Sequence, residues 1–197
     1  EKYEVLVIDN GSTDGSPEMA GTFAGVRVLR ESTPGSYAAR NLGIQKSRYP
    51  LIAFVDSDCT VTRGWLKELV VPMQATHTGA AAGANRARYP DFFVSRHERK
   101  AGLFVNYPGK PGGQPAYAMT MNILYRRKVF ETCGLFNTGE KSGSDVEMCW
   151  RMQSSGEWQL TLLENSAWVI HQDPQALAPY IQRHFRIGTG HAGLFAG

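Results

Sequence analysis

Leu51-Ile52-Ala53-Phe54-Val55-Asp56-Ser57-Asp58 decides the fold of this chain. Five apolar residues without polar alternation describe a strand covered on both faces, as in an α/β sheet. The run ends in two carboxylates. In extended backbone, side chains two residues apart leave on the same side, so Asp56 and Asp58 can face one point. Paired carboxylates at the mouth of a buried strand suit a hard divalent cation with a phosphate on its other side. Taken alone, D-x-D is also a common loop with two solvated acids, so the surrounding sequence has to decide.

Upstream, residues 3–8 read as a strand and run into Asp9-Asn10-Gly11-Ser12-Thr13-Asp14-Gly15-Ser16, a dense turn signal. Ser16 and Pro17 start a short helix that is finished by Gly25. Residues 26–29 form a second strand, Ser36 caps a helix over 37–47, and Pro50 stops it. The order strand, helix, strand, helix, strand predicts an α/β fold with a Rossmann-like, mostly parallel sheet flanked by helices. Ligands of open α/β sheets bind at the carboxyl ends of strands, and both polar clusters stand at such ends.

Downstream, helices are expected over 65–71, 127–132, 145–155 and 177–187, and strands over 80–86, 117–125, 158–163 and 167–170. Between 86 and 114, Arg86, Arg88, Arg96, Arg99, Lys100 and Lys110 interleave with aromatics and prolines. This stretch reads as loop: a lid, an acceptor platform or a solvated surface.

A chain of 197 residues can bury one substantial core as a single domain. The net charge of +3 gives no argument for nucleic acid as a partner. Cys59, Cys133 and Cys149 are an odd number without metal-ligand spacing, which favours reduced thiols and a cytoplasmic location. No apolar stretch approaches the roughly 20 residues that span a bilayer, so peripheral contact with the inner membrane face is the most that is expected. No leader is legible, and the first residues already read as strand.

Several residues carry chemistry by type and place. Asp9, Asn10 and Ser12 offer in-plane hydrogen bonds to a base or ribose, and the same residues also simply make turns. Arg40-Asn41 follows two alanines, where an arginine can approach a phosphate or lie on the surface. Asp145 starts a helix, whose dipole favours the ionised carboxylate; it is a cap or a general base. His171 ends an apolar strand as a core imidazole or a metal ligand.

Seven motifs then occur in order: residues 5–16, Ala39-Arg40-Asn41-Leu42-Gly43, Phe54-Val55-Asp56-Ser57-Asp58, Tyr125-Arg126-Arg127, Gly134-Leu135-Phe136, Gly143-Ser144-Asp145-Val146-Glu147 and Val169-Ile170-His171. Together they resemble glycosyltransferase family 2. The resemblance implies an A-type glycosyltransferase (GT-A) fold in one domain, with residues 1–75 as nucleotide-binding half and 76–197 as acceptor-binding half. It implies inverting transfer of one sugar from a nucleotide-diphosphate sugar donor, with Mn²⁺ or Mg²⁺, to a glycan, lipid-linked or small-molecule acceptor. By position, Asp9, Asn10, Ser12, Arg40, Asn41, Asp56, Ser57 and Asp58 fall on nucleotide-sugar contacts. Asp58, Asp56 and His171 fall on the metal site, and Asp145 on the catalytic base.

The family normally begins one strand earlier, so the chain is expected to be truncated at its N-terminus. Ser144 replaces an acid often found before the base. Gln182-Arg183-His184-Phe185-Arg186 matches the Q-x-x-R-W of processive synthases only loosely, which favours single transfer. A non-catalytic sugar-nucleotide or glycan-binding relative is the alternative. A sugar-phosphate nucleotidyltransferase would want a glycine-rich basic loop after the first strand, and no such loop is present.

Overall fold

The computed structural model describes residues 2–102, 105–174 and 176–194, with the backbone alone at 186 and 189–194. Strand β1 (Val5–Asp9) pairs in parallel with β2 (Val26–Arg30) across helix α1 (Ser16–Gly21). Helix α2 (Ser36–Lys46) leads to β3 (Leu51–Val55), whose bounds match the sequence reading. After β3 come β4 (Cys59–Val61), α3 (Trp65–Val70), β5 (Thr78–Ala82), β6 (Asn85–Ala87) and α4 (Phe93–Lys100). Then follow β7 (Asn122–Arg126), α5 (Arg127–Cys133), α6 (Ser144–Ser154), β8 (Gln159–Leu162), β9 (Val169–His171) and α7 (Leu177–Leu194). None of the described helices is long and apolar enough to cross a membrane.

The sheets are mixed rather than mostly parallel. β3, β7, β5 and β8 form one sheet in that order, β4, β9 and β6 another, and β1 and β2 a third. Among the described residues three pairings are parallel and three antiparallel. β7 is the reason: it lies between β3 and β5 and runs against both. Apolar runs report that both faces are covered, but not the direction of the neighbouring strand. The β3–β7 and β4–β9 pairings also cross the expected division at residue 75, so the two halves share sheets.

Two expected strands are cut short. Residues 80–86 divide into β5 and β6 around Gly83. A Cβ at Gly83 would lie 2.1 Å from the Ala167 carbonyl oxygen, so only glycine lets these backbones approach. Of 117–125, only Asn122 onward joins the sheet, while Tyr117 makes an isolated bridge to Tyr107. The stretch read as loop contains β6 and α4, with Val94, Ser95 and Glu98 of α4 buried.

The main core is aromatic. Phe54 of β3 meets Tyr125, Phe130 and Phe136 edge-on, with centroids 5.8 to 6.3 Å apart. Asn122, fully buried, donates to the carbonyls of Ala84 and Ala167 and accepts from the Trp65 indole N–H at 2.7 Å. Leucine there would strip the Ala167 carbonyl and the indole of these bonds, at about 1–3 kcal/mol each. Since Asn122 faces Val55 across the sheet, this hub fixes the end of β3 from which Asp56-Ser57-Asp58 emerges.

Candidate active site

An open cleft of about 1970 Å³ runs along β1 and β3 and past the carboxyl end of β3. Asn10, Ser12, Arg40, Asp56, Ser57, Asp58, Asp145 and His171 all line it. Sequence positions from 10 to 171 thus converge on one surface. Asp9 and Asn41 do not line it.

Register places His171. β4 pairs antiparallel with β9 so that Cys59 faces His171, and the Gln172 N–H donates to the Asp58 carbonyl at 2.9 Å. His171 Nε2 consequently lies 3.4 Å from Asp58 Oδ2. Its other nitrogen, Nδ1, is 2.6 Å from Asp173 Oδ1, and the Ser95 hydroxyl donates to Asp173 Oδ2 at 2.6 Å. Burial pulls the imidazole pKa down, but the hydrogen bonds to Asp173 and Asp58 outweigh it and raise it to about 9. The hydrogen bond from His171 lowers the Asp58 pKa against the opposing effect of burial. Cys59 completes a three-residue cluster whose candidate ligand atoms lie within 4.8 Å of one another. Burial, and then the Asp58 charge, push its thiol pKa up, so it stays protonated and is a poor donor to a hard cation.

The donor set fits a divalent cation. Two adjacent ligands on one ion of this size stand about 3 Å apart, close to the Asp58–His171 separation. An imidazole whose Nδ1–H is held by a carboxylate presents its Nε2 lone pair outward once a cation displaces the Nε2 proton, as metal-binding histidines do. Asp56 is differently engaged: Arg40 donates to its Oδ1 at 2.6 Å.

Arg40 connects the two ends of the cleft. Its guanidinium lies 5.4 Å from the centre of the Tyr37 ring, which stacks on Phe136. The Tyr37 hydroxyl donates to Asp145 Oδ1 at 3.1 Å. Burial first, then the Asp145 charge, raise the Tyr37 pKa, so the phenol remains a donor. Gly143 before α6 has φ +90°, a turn that favours glycine and sets Asp145 in the first helical turn. The Thr120 N–H reaches Asp145 Oδ2 at 3.4 Å. A carboxylate held this way faces the cleft as a competent proton acceptor.

The first strand end is organised differently. The Asp9 carboxylate turns back to accept from the Ser12 N–H and from Arg30, and it is 4% exposed. Asn10 donates to the carbonyls of Glu31 and Thr33 and accepts from the Gly35 N–H. Asn41 exchanges hydrogen bonds with both backbone groups of Phe136, which ties α2 to the core instead of facing a ligand. On α7, Arg183 and His184 line the cleft, and Arg183 is ion-paired with Glu98; the Arg186 side chain lies outside the described residues.

Sequence reading missed Tyr37, Thr120, Asp173 and Ser95. Tyr37 stands three residues before Arg40 on one helix and so shares its face, and Asp173 stands two residues after His171; both spacings were legible. Nothing local marks Thr120 or Ser95.

The model of the glycosyl transferase family 2 domain matches residues 1–134. Glycosyltransferase AglE of Haloferax volcanii is 32% identical over 196 residues, covering 96% of this chain and 62% of the relative. The pre-mycofactocin glycosyltransferase of Mycobacterium tuberculosis is 30% identical, covering 96% of this chain and 42% of its own length. The chain therefore spans less than two thirds of each of these relatives. Among solved structures, the mannosyltransferase PcManGT from Pyrobaculum calidifontis in complex with GDP-Man and Mn²⁺ superposes with a TM-score of 0.69. That pair is 19% identical and covers 93% of this chain and 51% of that one. S. aureus TarS 1–349 in complex with UDP-GlcNAc gives 0.63 at 17% identity, covering 88% and 50%. These are GT-A glycosyltransferases, and the chain has their fold.

Proposed function

Since the chain belongs to glycosyl transferase family 2, we propose that it catalyses metal-dependent, inverting transfer of one sugar from a nucleotide-diphosphate sugar to an acceptor hydroxyl. One observation carries this reading. Asp145 is bonded to Tyr37, Tyr37 lies under Arg40, and Arg40 is paired with Asp56, so base and D-x-D motif share a continuous network along the cleft. The complexes of the two structural relatives with GDP-Man and Mn²⁺, and with UDP-GlcNAc, support the donor class and the cofactor.

Asp58 and His171 would hold Mn²⁺ or Mg²⁺. When bound, the ion supplies positive charge that stabilises the diphosphate leaving group. Asp56, oriented by Arg40, faces the ribose, with Ser12 and Ser57 along the nucleotide. Asp145 takes the proton of the acceptor hydroxyl as its oxygen attacks the anomeric carbon from the face opposite the leaving group. The bond to the diphosphate oxygen breaks through an oxocarbenium-like transition state, as in glycoside hydrolysis. Tyr117, edge-on to Trp150 and stacked on Tyr107, lines the cleft as a flat wall suited to a glycan acceptor.

A panel of nucleotide sugars, assayed for donor turnover with and without Mn²⁺, tests the proposal. Mn²⁺-dependent turnover of one donor is the expected result. Donor binding without turnover on any acceptor would instead make the chain a binding module.

A further inference from the structure

We infer that Asp173 and Ser95 are positioning residues for the cation site, fixing His171 in the tautomer that turns Nε2 toward Asp58. This rests on the reading of Asp58 and His171 as metal ligands. Asp173 and Ser95 are buried and, unlike His171, do not line the cleft, so they stand behind the imidazole rather than against a ligand. Asp173 Oδ1 is 2.6 Å from His171 Nδ1, and its Oδ2 accepts from Ser95 at 2.6 Å. A carboxylate has no proton to give at this position, so Nδ1 must carry the hydrogen. In the neutral imidazole that a cation requires, it is then Nε2, on the side of Asp58, that bears the lone pair.

Ser95 extends the device to a distant part of the chain. It lies on α4, whose Glu98 is ion-paired with Arg183 of α7. The Arg88 N–H, from the segment leading into α4, donates to the His171 carbonyl at 2.8 Å. The basic, aromatic stretch at 86–100 therefore braces the imidazole by side chain and by backbone. Residues far from the D-x-D motif in sequence set how well it binds its cation.

The test is the affinity of the whole chain for Mn²⁺ alone, read from the electron paramagnetic resonance signal of the free ion, with a thermal melt of each variant as control. Asp173→Asn keeps the shape but replaces the charged acceptor at Nδ1 with a neutral amide, which loosens the hold on the Nδ1–H tautomer. It is expected to weaken Mn²⁺ binding about 10–100-fold, the usual effect of removing a group behind a metal ligand. Ser95→Ala should weaken it less, and Ser95→Thr should restore it. In a His171→Ala background, Asp173→Asn should change nothing further.

Unchanged Mn²⁺ affinity in Asp173→Asn, while His171→Ala weakens it, overturns the inference and leaves the metal site standing. Equal loss from Asp173→Asn with and without His171 also overturns it, because Asp173 would then act through the fold at large. If His171→Ala leaves binding intact, or the unaltered chain binds no Mn²⁺, the reading of the cation site fails, and the inference with it.

Discussion

The ends of β1 and β3 look alike in sequence and do opposite things in the fold. Each is a short apolar strand running into an acid and small polar residues. At β1, Asp9 is buried and its oxygens serve Ser12 and Arg30, while the Asn10 amide bonds the 31–35 segment. At β3, Asp56 and Asp58 stay accessible, with side chains 40% and 53% exposed, and each is aimed by a basic partner, Arg40 or His171. The first end has consumed its acid and its amide in making a turn. The second has been oriented and left available. What separates a turn from a ligand site is thus how far the polar groups are used up. Both oxygens of Asp9 and both ends of the Asn10 amide are bonded within the fold, whereas Asp56 and Asp58 keep much of their carboxylates exposed.

Changes at the available acids should therefore abolish chemistry at little cost in stability, and the largest effect belongs to the base. Asp145→Asn is expected to lower kcat by about 10²–10⁴-fold, the range for loss of a general acid–base group, with nucleotide affinity nearly intact by calorimetry. Equal losses in both would remove Asp145 from the role of base. Next, Asp58→Ala should cost roughly 100-fold or more in Mn²⁺-dependent nucleotide affinity, since removing a ligand exceeds the effect of removing a group behind one. Unchanged Mn²⁺ dependence would take Asp58 out of the cation site.

Much of this comparison was legible in the residues, and its failures have physical causes. β3 and α2 were found within a residue because apolar runs and proline stops act locally. Asp56, Asp58, Asp145 and His171 were placed by ordered motifs, and all four line the cleft. The direction of β7 was not legible, since pairing between strands far apart leaves no trace in either strand. Asn41 was misjudged for a related reason: its partners are backbone groups of Phe136, and backbone carries no sequence signal. Asp9 and Asp56 were read alike because composition does not record which acid will be capped by its own turn.

That last difference gives a smaller test of the comparison. Asp9→Ala should lower the melting temperature by roughly 2–4 °C, the shift for loss of one ordinary interaction in a chain of this size. Asp58→Ala removes a half-exposed partner of His171 and should lower it by less. If instead Asp9→Ala left the melt alone and weakened nucleotide binding, Asp9 would be a ligand residue and the contrast between the strand ends would fail.

The smallest effect separates the two ends by pH in metal-free protein held in a chelator. The Asp9 pKa is lowered by its hydrogen bonds from Ser12, with burial opposing and Arg30 adding to the lowering. Its contribution to stability is present above its unfolded pKa of 3.8 and lost only as pH falls through the lower folded value. His171 is shifted the other way, from 6.5 to about 9. The stability it adds is complete below pH 6.5 and declines as pH rises toward about 9, where the folded imidazole loses its proton. Denaturant midpoints taken from pH 6 to pH 9.5 should therefore fall, and His171→Ala should flatten that slope. Asp9→Ala should lower the whole curve without changing its shape in this window. A slope that survives in His171→Ala would assign the alkaline loss to another group, and the Asp58 end would then be no more responsive to pH than the Asp9 end.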